Sequence, residues 1–281
     1  MRLRSLLFVP GDRPDRIAKA TGGGADAVIL DFEDSVAAGA KAAARASVAA
    51  ALGGPRYETA MIVRINALDT GMLDADLDAI VPARPAAIML PKCEGASGVA
   101  LLSKALSARG DHETAILPIA AETPLSAFRL AEFAGCDARL LGLTWGAEDL
   151  QQSLGSDVSR DQSGQFTGPF ELVRNLTLHA AAAAGVPAIE TVFPAFRDTA
   201  GAMAAARRAA RDGFSGMLAI HPCQVPLINA AFTPTAEAVG HARDVVAAFE
   251  ASPGAGVLTL DGKMIDQPHL KRALRILARA S

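Results

Sequence analysis

Two apolar runs in this sequence end in carboxylates whose types and spacing could bind a metal ion. The run Ala115–Ala121 is followed directly by Glu122, and a second run that begins at Leu140 leads into Glu148 and Asp149. Short apolar runs bounded in this way are typical of buried strands. Because parallel strands end at one rim of a sheet, where α/β proteins place their chemistry, we expect Glu122 and Asp149 to lie close together. Glu148 is the alternative to Asp149.

Polar side chains follow most of the other predicted strands as well. Those that would gather at the same rim are Asp31, Glu33, Asp34, Arg64, Asn66, Lys92, Glu190, Thr191 and His221. The carboxylates outnumber the bases, and crowded carboxylates raise one another's pKa. A divalent cation removes this conflict, and Mg²⁺ binds through one or two carboxylates together with water and substrate oxygens. The pattern therefore favours a magnesium site at Glu122 and Asp149, the alternative being that both are solvated strand ends.

Two further residues at this rim each have two interpretations. Arg64 lies among Ile62, Val63 and Ile65 and could be part of a buried structural ion pair. Its guanidinium could instead hold a substrate carboxylate through two parallel hydrogen bonds, which beside a metal ion would suit a 2-oxo acid or its enolate. His221 could be a zinc ligand, but no Cys or His partner lies at ligand spacing, so we expect a structural role.

The elements that must position these residues alternate regularly between strand and helix. Eight strands are predicted, at Ser5–Val9, Ala27–Phe32, Met61–Ile65, Ala87–Leu90, Ala115–Ala121, Leu140–Thr144, Ala188–Phe193 and Gly216–Ile220. Ala-rich helical stretches separate them, at 14–20, 37–52, 73–80, 97–108, 124–133, 169–184 and 199–211. Eight strand–helix units predict an α/β fold of the (β/α)₈ TIM-barrel type, with a doubly wound parallel sheet as the alternative.

Two segments do not fit the alternation. Asp149–Thr167 is polar and long for a loop between a strand and a helix, and such loops often carry function. After the eighth strand come a helix at 235–251, a short strand at 256–260 and a helix at 267–280, which are too few to form an independent domain. We therefore predict a catalytic barrel domain at 1–232 and a C-terminal extension at 233–281 that packs on its own barrel or on a neighbouring subunit.

Composition excludes several classes of protein. The chain has 281 residues, of which 51% are hydrophobic and 20% charged, and its net charge is −3. A nucleic-acid binder would be basic, and a membrane span would need an apolar run of about 18–20 residues. The N-terminal apolar run is too short for a signal peptide and is predicted to be the first strand. Three widely spaced cysteines argue against disulfides and favour a reducing cytoplasm.

Eight motifs, in this order, resemble the HpcH/HpaI aldolase and citrate lyase β-subunit (CitE-like) family, close to the malyl-CoA and citramalyl-CoA lyases. They are RSLLFVPGDRP (4–14), ADAVILDFEDSV (25–36), VRIN (63–66), LPK (90–92), AET (121–123), WGAEDL (145–150), AIHPCQV (219–225) and LDGKMIDQP (260–268). The resemblance covers nearly the whole chain. It implies a TIM barrel with a C-terminal extension, a homotrimer or hexamer, and cleavage or formation of the C–C bond of a β-hydroxyacyl-CoA. It also implies Mg²⁺ or Mn²⁺ and a 2-oxo acid or acetyl-CoA partner.

The resemblance also assigns roles to individual residues. Glu122 and Asp149 match metal ligands, with Glu122 also at the substrate, and Arg64 matches the arginine that holds the substrate carboxylate. Asp266 matches an acid–base residue that the extension delivers to a neighbouring subunit, where desolvation would raise its pKa. The residues that match contacts to CoA are Phe8, Arg13 and Lys19. From the sequence alone, an ordinary helix N-cap is the better interpretation of Asp266, and only the resemblance favours the acid–base role; Asp261 is the alternative acid–base residue.

The chain departs from the resemblance in two places, which leave its acyl-CoA open. It reads GSDVSRDQSGQ after WGAEDL, where relatives often have a short Gly-Ala-Thr-Arg-like turn, and it has Glu190 where many relatives have Asp. We predict a cytoplasmic, Mg²⁺-dependent lyase that acts on a β-hydroxyacyl-CoA such as malyl-CoA or citramalyl-CoA, with no nucleic-acid or membrane partner. The alternatives are a citryl lyase subunit that acts on a carrier-protein thioester, a thioesterase, and a non-enzymatic sensor of CoA esters.

Overall fold

Eight parallel strands close into a barrel in which each strand pairs with the next and the eighth pairs with the first. The computed structural model describes residues 1–55 and 57–280. The strands are β1 (Ser5–Pro10), β2 (Ala27–Asp31), β3 (Ala60–Arg64), β4 (Ala87–Leu90), β5 (Ala115–Ala121), β6 (Leu143–Trp145), β7 (Ala188–Glu190) and β8 (Gly216–Ala219). The predicted α/β barrel is therefore confirmed.

Helices follow the strands, and two of them differ from prediction. They are α1 (Pro14–Ala20), α2 (Lys41–Leu52), α3 (Leu73–Ile80), α4 (Ala96–Ala108), α5 (Pro124–Arg129), α6 (Ala147–Leu154), α7 (Gly168–Ala184), α8 (Thr199–Asp212) and α9 (Gln224–Phe232). The prediction that a loop begins at Asp149 is wrong, because α6 extends to Leu154 and the loop begins after it. The sequence of α6 is mostly polar, and α9 was not predicted; its Pro226 lies in the first helical turn, where proline is tolerated.

The alternation of side chains along the strands places the polar residues directly above the barrel core. Leu6, Ile29, Ile62, Ile189 and Leu218 belong to the cluster that fills the barrel. Successive side chains of a strand point to opposite faces, so the next residue on the inner face lies two positions further on. In the same order these residues are Phe8, Asp31, Arg64, Thr191 and Ile220, and all of them line one pocket. The strands therefore carry an apolar layer below and a functional layer above.

The chain divides into two compact units, Met1–Asn229 and Ala230–Ser281. The second contains the helices α10 (Ala236–Glu250) and α11 (Gln267–Ala280), joined by an antiparallel hairpin of β9 (Val257–Leu260) and β10 (Lys263–Asp266). Its core consists of Ala242, Val245, Phe249, Ile265 and Ala273. The hairpin turns at Asp261 and Gly262, which both have positive φ. Asp266 therefore ends a strand, whereas the sequence suggested a short loop. Within the described residues, no helix is long and apolar enough to cross a membrane.

Candidate active site

A pocket of about 920 Å³ lies at the carboxyl ends of the barrel strands. Its lining includes both Glu122 and Asp149, as predicted from the strand ends, and Glu148 beside them. Arg64, Asp31 and other residues from the upper barrel layer complete the floor. Most of the polar residues predicted to gather at one rim therefore line this pocket, and the exceptions are described below.

Glu122 is a buried carboxylic acid held at the junction between β5 and α5. Only 2% of it is exposed, and its Oε2 accepts a hydrogen bond from the backbone N–H of Lys92 at 2.6 Å. The next residue, Thr123, caps α5 by accepting the backbone N–H of Ser126 at 3.2 Å, which anchors the junction. Burial raises the pKa of Glu122 to about 8 against the effect of the Lys92 N–H, and the charges of Asp149 and Glu33 add to the rise.

Gly146 gives Glu122 the space that it occupies. A Cβ atom at position 146 would lie 2.6 Å from Cγ and 2.8 Å from Oε1 of Glu122. Distances this short exclude any side chain unless Glu122 moves. The glycine of the WGAEDL motif is therefore part of the site although it carries no chemistry, which the sequence alone did not reveal.

Asp149 lies in the first turn of α6 rather than at a strand end, as the sequence suggested. Negative side chains are favoured there because the amino end of a helix carries partial positive charge. Its Oδ1 is 3.3 Å from Nζ of Lys92, and 27% of its side chain is exposed. Glu148 also lines the pocket but is exposed to solvent. The charge of Asp149 also adds to the raised pKa of Glu122, after burial, and the preference for Asp149 over Glu148 as a metal ligand stays a prediction.

Arg64 is engaged in the buried ion pair that was one of its two predicted interpretations. Its Nε and Nη2 donate to the two carboxylate oxygens of Asp31 at 2.6 and 2.7 Å. Its Nη1 is 2.9 Å from Oε2 of Glu33, and its guanidinium lies 4.8 Å from the ring centre of Phe8. Asp31 therefore takes up one edge of the guanidinium and Glu33 faces Nη1, so a substrate carboxylate that binds Arg64 must share Nη1 with Glu33. That role stays a prediction.

The excess of negative charge expected at this rim is present. Five carboxyl groups surround two cations: Asp31, Glu33, Asp34, Glu122 and Asp149 around Arg64 and Lys92. Within residues 1–55 and 57–280 no group of three or more His, Cys, Asp or Glu side chains is arranged to hold a metal ion. A Mg²⁺ site needs only one or two carboxylates, because water and substrate supply its other oxygens. Glu122 and Asp149 fit that requirement, and a cation between them would relieve the repulsion that adds to burial in raising the pKa of Glu122.

The residues predicted to contact CoA are divided by the structure. Phe8 and Lys19 line the pocket, whereas Arg13 does not. Arg13 instead forms an exposed ion pair with Asp15 at 3.1 Å. Arg16 lines the pocket in its place. Because residues three apart share a helix face, the position of Lys19 on α1 could have revealed Arg16.

Glu190 and Asn66 have structural roles away from the pocket. Glu190 is buried and accepts hydrogen bonds from Nε1 of Trp145 at 2.7 Å and from Nε of Arg174 at 2.5 Å. Asn66 is buried and donates both its backbone N–H and its side-chain amide to Asp76 at 2.8 Å. These two strand-end polar residues hydrogen-bond to side chains of other elements, and neither lines the pocket.

His221 lines the pocket without the environment of a zinc ligand. Its ring stacks on Phe196 at 4.5 Å, and its Nδ1 lies 2.9 Å from Sγ of Cys223. No metal-binding group of described residues includes it. The structural role expected of His221 stays a prediction, because the residue is exposed and lines the pocket. All three cysteines are free, which agrees with the absence of disulfides expected from their spacing.

Asp266 has the surroundings of a helix N-cap within its own chain. Its Oδ1 accepts the backbone N–H of His269 at 3.4 Å and lies 2.5 Å from Nδ1 of that histidine. The hydrogen bond with His269 lowers the pKa of Asp266, whereas a raised pKa was expected for a desolvated acid–base residue. The expectation applies to a site shared with a neighbouring subunit, and this role of Asp266 stays a prediction. Asp261, the alternative, lies in the hairpin turn.

The metal-free protein should lose stability as the pH rises, because of Glu122. Its pKa is about 8 in the folded chain and near the ordinary 4.5 in the unfolded chain, so its contribution to stability is complete below about pH 4.5 and is lost as the pH rises through about 8. We expect the Tm of the wild type to fall relative to that of Glu122→Gln between about pH 5 and about pH 9. Thermal unfolding followed by circular dichroism in EDTA measures this, and parallel profiles would contradict it.

Comparisons with known proteins bear on what this site does. A family model described as HpcH/HpaI aldolase/citrate lyase matches residues 4–222. The chain is 36% identical over 286 residues to citrate lyase subunit beta of Escherichia coli (strain K12), an alignment that covers 99% of this chain and 93% of that protein. It is 34% identical over 282 residues to (3S)-malyl-CoA thioesterase of Cereibacter sphaeroides (strain ATCC 17029 / ATH 2.4.9), with 99% and 94% covered. A crystal structure of CitE from Mycobacterium tuberculosis in complex with magnesium, acetoacetate and coenzyme A matches with a TM-score of 0.82 at 36% identity, covering 99% and 97% of the two chains.

Proposed function

This chain belongs to the HpcH/HpaI aldolase/citrate lyase family, and from that premise we propose that it is a Mg²⁺-dependent carbon–carbon lyase. Its substrate is a β-hydroxyacyl-CoA such as malyl-CoA or citramalyl-CoA, which it cleaves into an acyl-CoA and a 2-oxo acid or forms in the reverse direction. The observation that carries this proposal is the pair of pocket carboxylates, Glu122 and Asp149, beside Arg64. The magnesium and coenzyme A in the M. tuberculosis CitE complex support the choice of cofactor and substrate.

Each residue then has a distinct task. Glu122 and Asp149 hold the Mg²⁺ ion, which when bound stabilises negative charge that develops on the substrate carbonyl oxygen. Arg64 binds the carboxylate of the 2-oxo acid through Nη1, which faces Glu33 in the free protein, while Asp31 keeps the guanidinium oriented. A base removes the proton of the substrate hydroxyl, the C–C bond breaks as in a retro-aldol reaction, and the thioester enolate is protonated. We assign the acid–base role to Asp266 of a neighbouring subunit.

The CoA moiety enters along α1. Lys19 and Arg16 line the pocket on that side and supply positive charge for CoA phosphates, and Phe8 lines it beside Arg64. A site completed by Asp266 of a second chain requires an oligomer, which in this proposal is a homotrimer or hexamer. The enzyme works in the cytoplasm. The C-terminal extension, 233–281, supplies Asp266.

An activity screen of the purified protein tests the function. The candidate substrates are malyl-CoA, methylmalyl-CoA, citramalyl-CoA and citryl-CoA, each with Mg²⁺ and with EDTA. We expect Mg²⁺-dependent release of a 2-oxo acid and an acyl-CoA from at least one of them. Failure of every CoA ester combined with cleavage of a carrier-protein thioester would favour the citryl lyase subunit, to whose E. coli counterpart the chain is 36% identical.

A thioesterase is the second candidate, because a relative that is 34% identical over nearly the whole chain is named (3S)-malyl-CoA thioesterase. The products separate the two reactions. A lyase releases a 2-oxo acid and leaves the thioester bond intact, whereas a thioesterase releases free CoA and a hydroxy acid. Free thiol is therefore measured with a thiol reagent beside a dehydrogenase-coupled assay for the 2-oxo acid. Tight CoA binding with neither product would indicate a sensor.

Arg64→Lys should weaken binding of the 2-oxo acid and reduce kcat/KM by about a hundredfold or more. Lysine keeps the charge but loses the planar fork, so it cannot serve Asp31 and a substrate carboxylate together. Steady-state kinetics and the Tm are measured in parallel with Arg45→Lys, since Arg45 forms a partly buried ion pair with Asp76 outside the pocket. The control should lose stability only, and wild-type kinetics in Arg64→Lys would show that Arg64 is purely structural.

Gly146→Ala should weaken Mg²⁺ binding by about tenfold or more, because the added methyl group displaces a buried metal ligand that the site needs in place. Calorimetry measures the affinity. Gly168→Ala is the matched control, since a Cβ at that position meets no atom within 4 Å. Equal Mg²⁺ affinities in the two variants would mean that Glu122 is not a ligand or that its position is unimportant.

A further inference from the structure

Lys92 contacts both of the proposed metal ligands through different parts of the same residue. Its backbone N–H donates to Oε2 of Glu122 at 2.6 Å, and its side-chain Nζ lies 3.3 Å from Oδ1 of Asp149. Nζ also donates to Oε1 of Glu33 at 2.6 Å. One residue therefore connects the end of β5 with the first turn of α6 and with the segment after β2.

The backbone of Lys92 has an unfavourable conformation, which the surrounding structure must hold in place. Lys92 has φ of 48°, a left-handed backbone conformation that residues other than glycine rarely adopt. Such a residue persists only where its surroundings hold it, and conformations of this kind are concentrated at functional sites. The conformation aims the N–H at Glu122 while the side chain reaches Asp149.

We propose that the Lys92 ammonium group is the built-in counter-charge of the metal site, a positioning residue that holds Asp149 and Glu33 and competes with the divalent cation for Asp149. This inference rests on the proposed function, because it takes Glu122 and Asp149 as the metal ligands. Lys92 is not a ligand, since an ammonium group has no lone pair to donate. It keeps the carboxylates together without metal, and it lowers the affinity for metal.

The sign of the expected effect separates this role from an ordinary structural one. A merely structural lysine would be needed to keep the ligands in place, so its loss would weaken metal binding. A competing counter-charge has the opposite effect, because its removal leaves five carboxyl groups around Arg64 as the one remaining cation of this cluster. Repulsion between a singly and a doubly charged cation that share a carboxylate corresponds to about tenfold in affinity even at the dielectric constant of water.

Isothermal titration of Mg²⁺ into the substrate-free protein tests the proposal. Lys92→Met keeps the length of the side chain without its charge, and we expect it to bind Mg²⁺ about tenfold more tightly than the wild type. Lys92→Arg retains the charge and should bind like the wild type. Lys104→Met is the matched control, because it removes one positive charge from an exposed position on α4. Lys92→Gln is measured as a second neutral variant, and circular dichroism confirms that each variant is folded.

The outcomes are distinct. Unchanged or weaker Mg²⁺ binding in the folded neutral variants would overturn the role of Lys92 while leaving the metal site in place. A wild type that binds no Mg²⁺ would overturn both the metal site and its counter-charge. Tighter binding in the neutral variants, together with the absence of any lyase product in the substrate screen, would support the role of Lys92 and contradict the proposed reaction.

Discussion

Glu122→Gln should abolish Mg²⁺ binding and reduce turnover by about a thousandfold or more, because the cation that stabilises the developing charge would lose a ligand. The variant should nevertheless fold, and without metal it should be at least as stable as the wild type near neutral pH. Burial raises the pKa of Glu122 to about 8, so the native structure disfavours its charged form, and glutamine has a similar shape without that charge. Loss of function without loss of stability is the signature of a group kept for its chemistry.

Asp149→Asn should have the same effect on Mg²⁺ binding and turnover. Calorimetry measures the affinity, single-turnover kinetics the chemical step, and thermal unfolding the fold. Glu148→Gln is the matched control, since it removes one carboxylate from the same pocket and the same helical turn. Unchanged Mg²⁺ affinity in both Glu122→Gln and Asp149→Asn would contradict the metal site. Loss of affinity in Glu148→Gln but not in Asp149→Asn would identify Glu148 as the ligand.

Two inactive variants should restore each other's activity if Asp266 completes the site of a neighbouring subunit. Asp266→Ala should reduce turnover by about a hundredfold to ten-thousandfold, the range that general acid–base catalysis contributes. Mixing it with Asp149→Ala chains and allowing exchange should return about a quarter of wild-type activity. Half of the barrels are then intact, and half of their neighbours supply Asp266, as in a cyclic oligomer.

The control for this experiment is the other acidic residue of the hairpin. Asp261→Ala should remain active by itself, because Asp261 lies in the turn between β9 and β10 rather than at the start of α11. Native mass spectrometry establishes that mixed oligomers form. If they form and no activity returns, Asp266 either serves its own barrel or is only the N-cap of α11. If Asp261→Ala is inactive and complements Asp149→Ala, the acid–base role belongs to Asp261.

The barrel and its active rim could be predicted because they follow from local rules. Apolar runs separated by helices specify parallel strands, and the carboxyl ends of parallel strands all lie on one side. The two-residue alternation along each strand then places Phe8, Asp31 and Arg64 above the apolar layer. The same reasoning correctly predicted that Glu122 and Asp149 lie in one pocket. It did not predict most of α6, because the sequence of this helix is mostly polar.

The partners of those side chains could not be predicted from the sequence. Arg64 meets Asp31 across 33 residues of sequence, and Lys92 meets Glu122 across 30, so nothing in their local surroundings identifies the pairs. The position of Glu122, the proposed metal ligand, also depends on the absence of a side chain at Gly146, which is visible only as a distance. Near α1, the resemblance implied that Arg13 and Lys19 contact CoA, but only the tertiary structure decided that Arg16 rather than Arg13 lines the pocket.

By itself, then, the amino-acid sequence determined the α/β barrel and the rim at which its carboxylates meet, because hydrophobic periodicity and strand direction are properties of short segments. Only the tertiary structure decided which cation faces which carboxylate, how far burial raises the pKa of Glu122, and that Lys92 contacts Asp149 and Glu122 together. These depend on separations of about 3 Å between distant segments and on a single left-handed φ angle, and neither quantity has a signature in residue type or spacing.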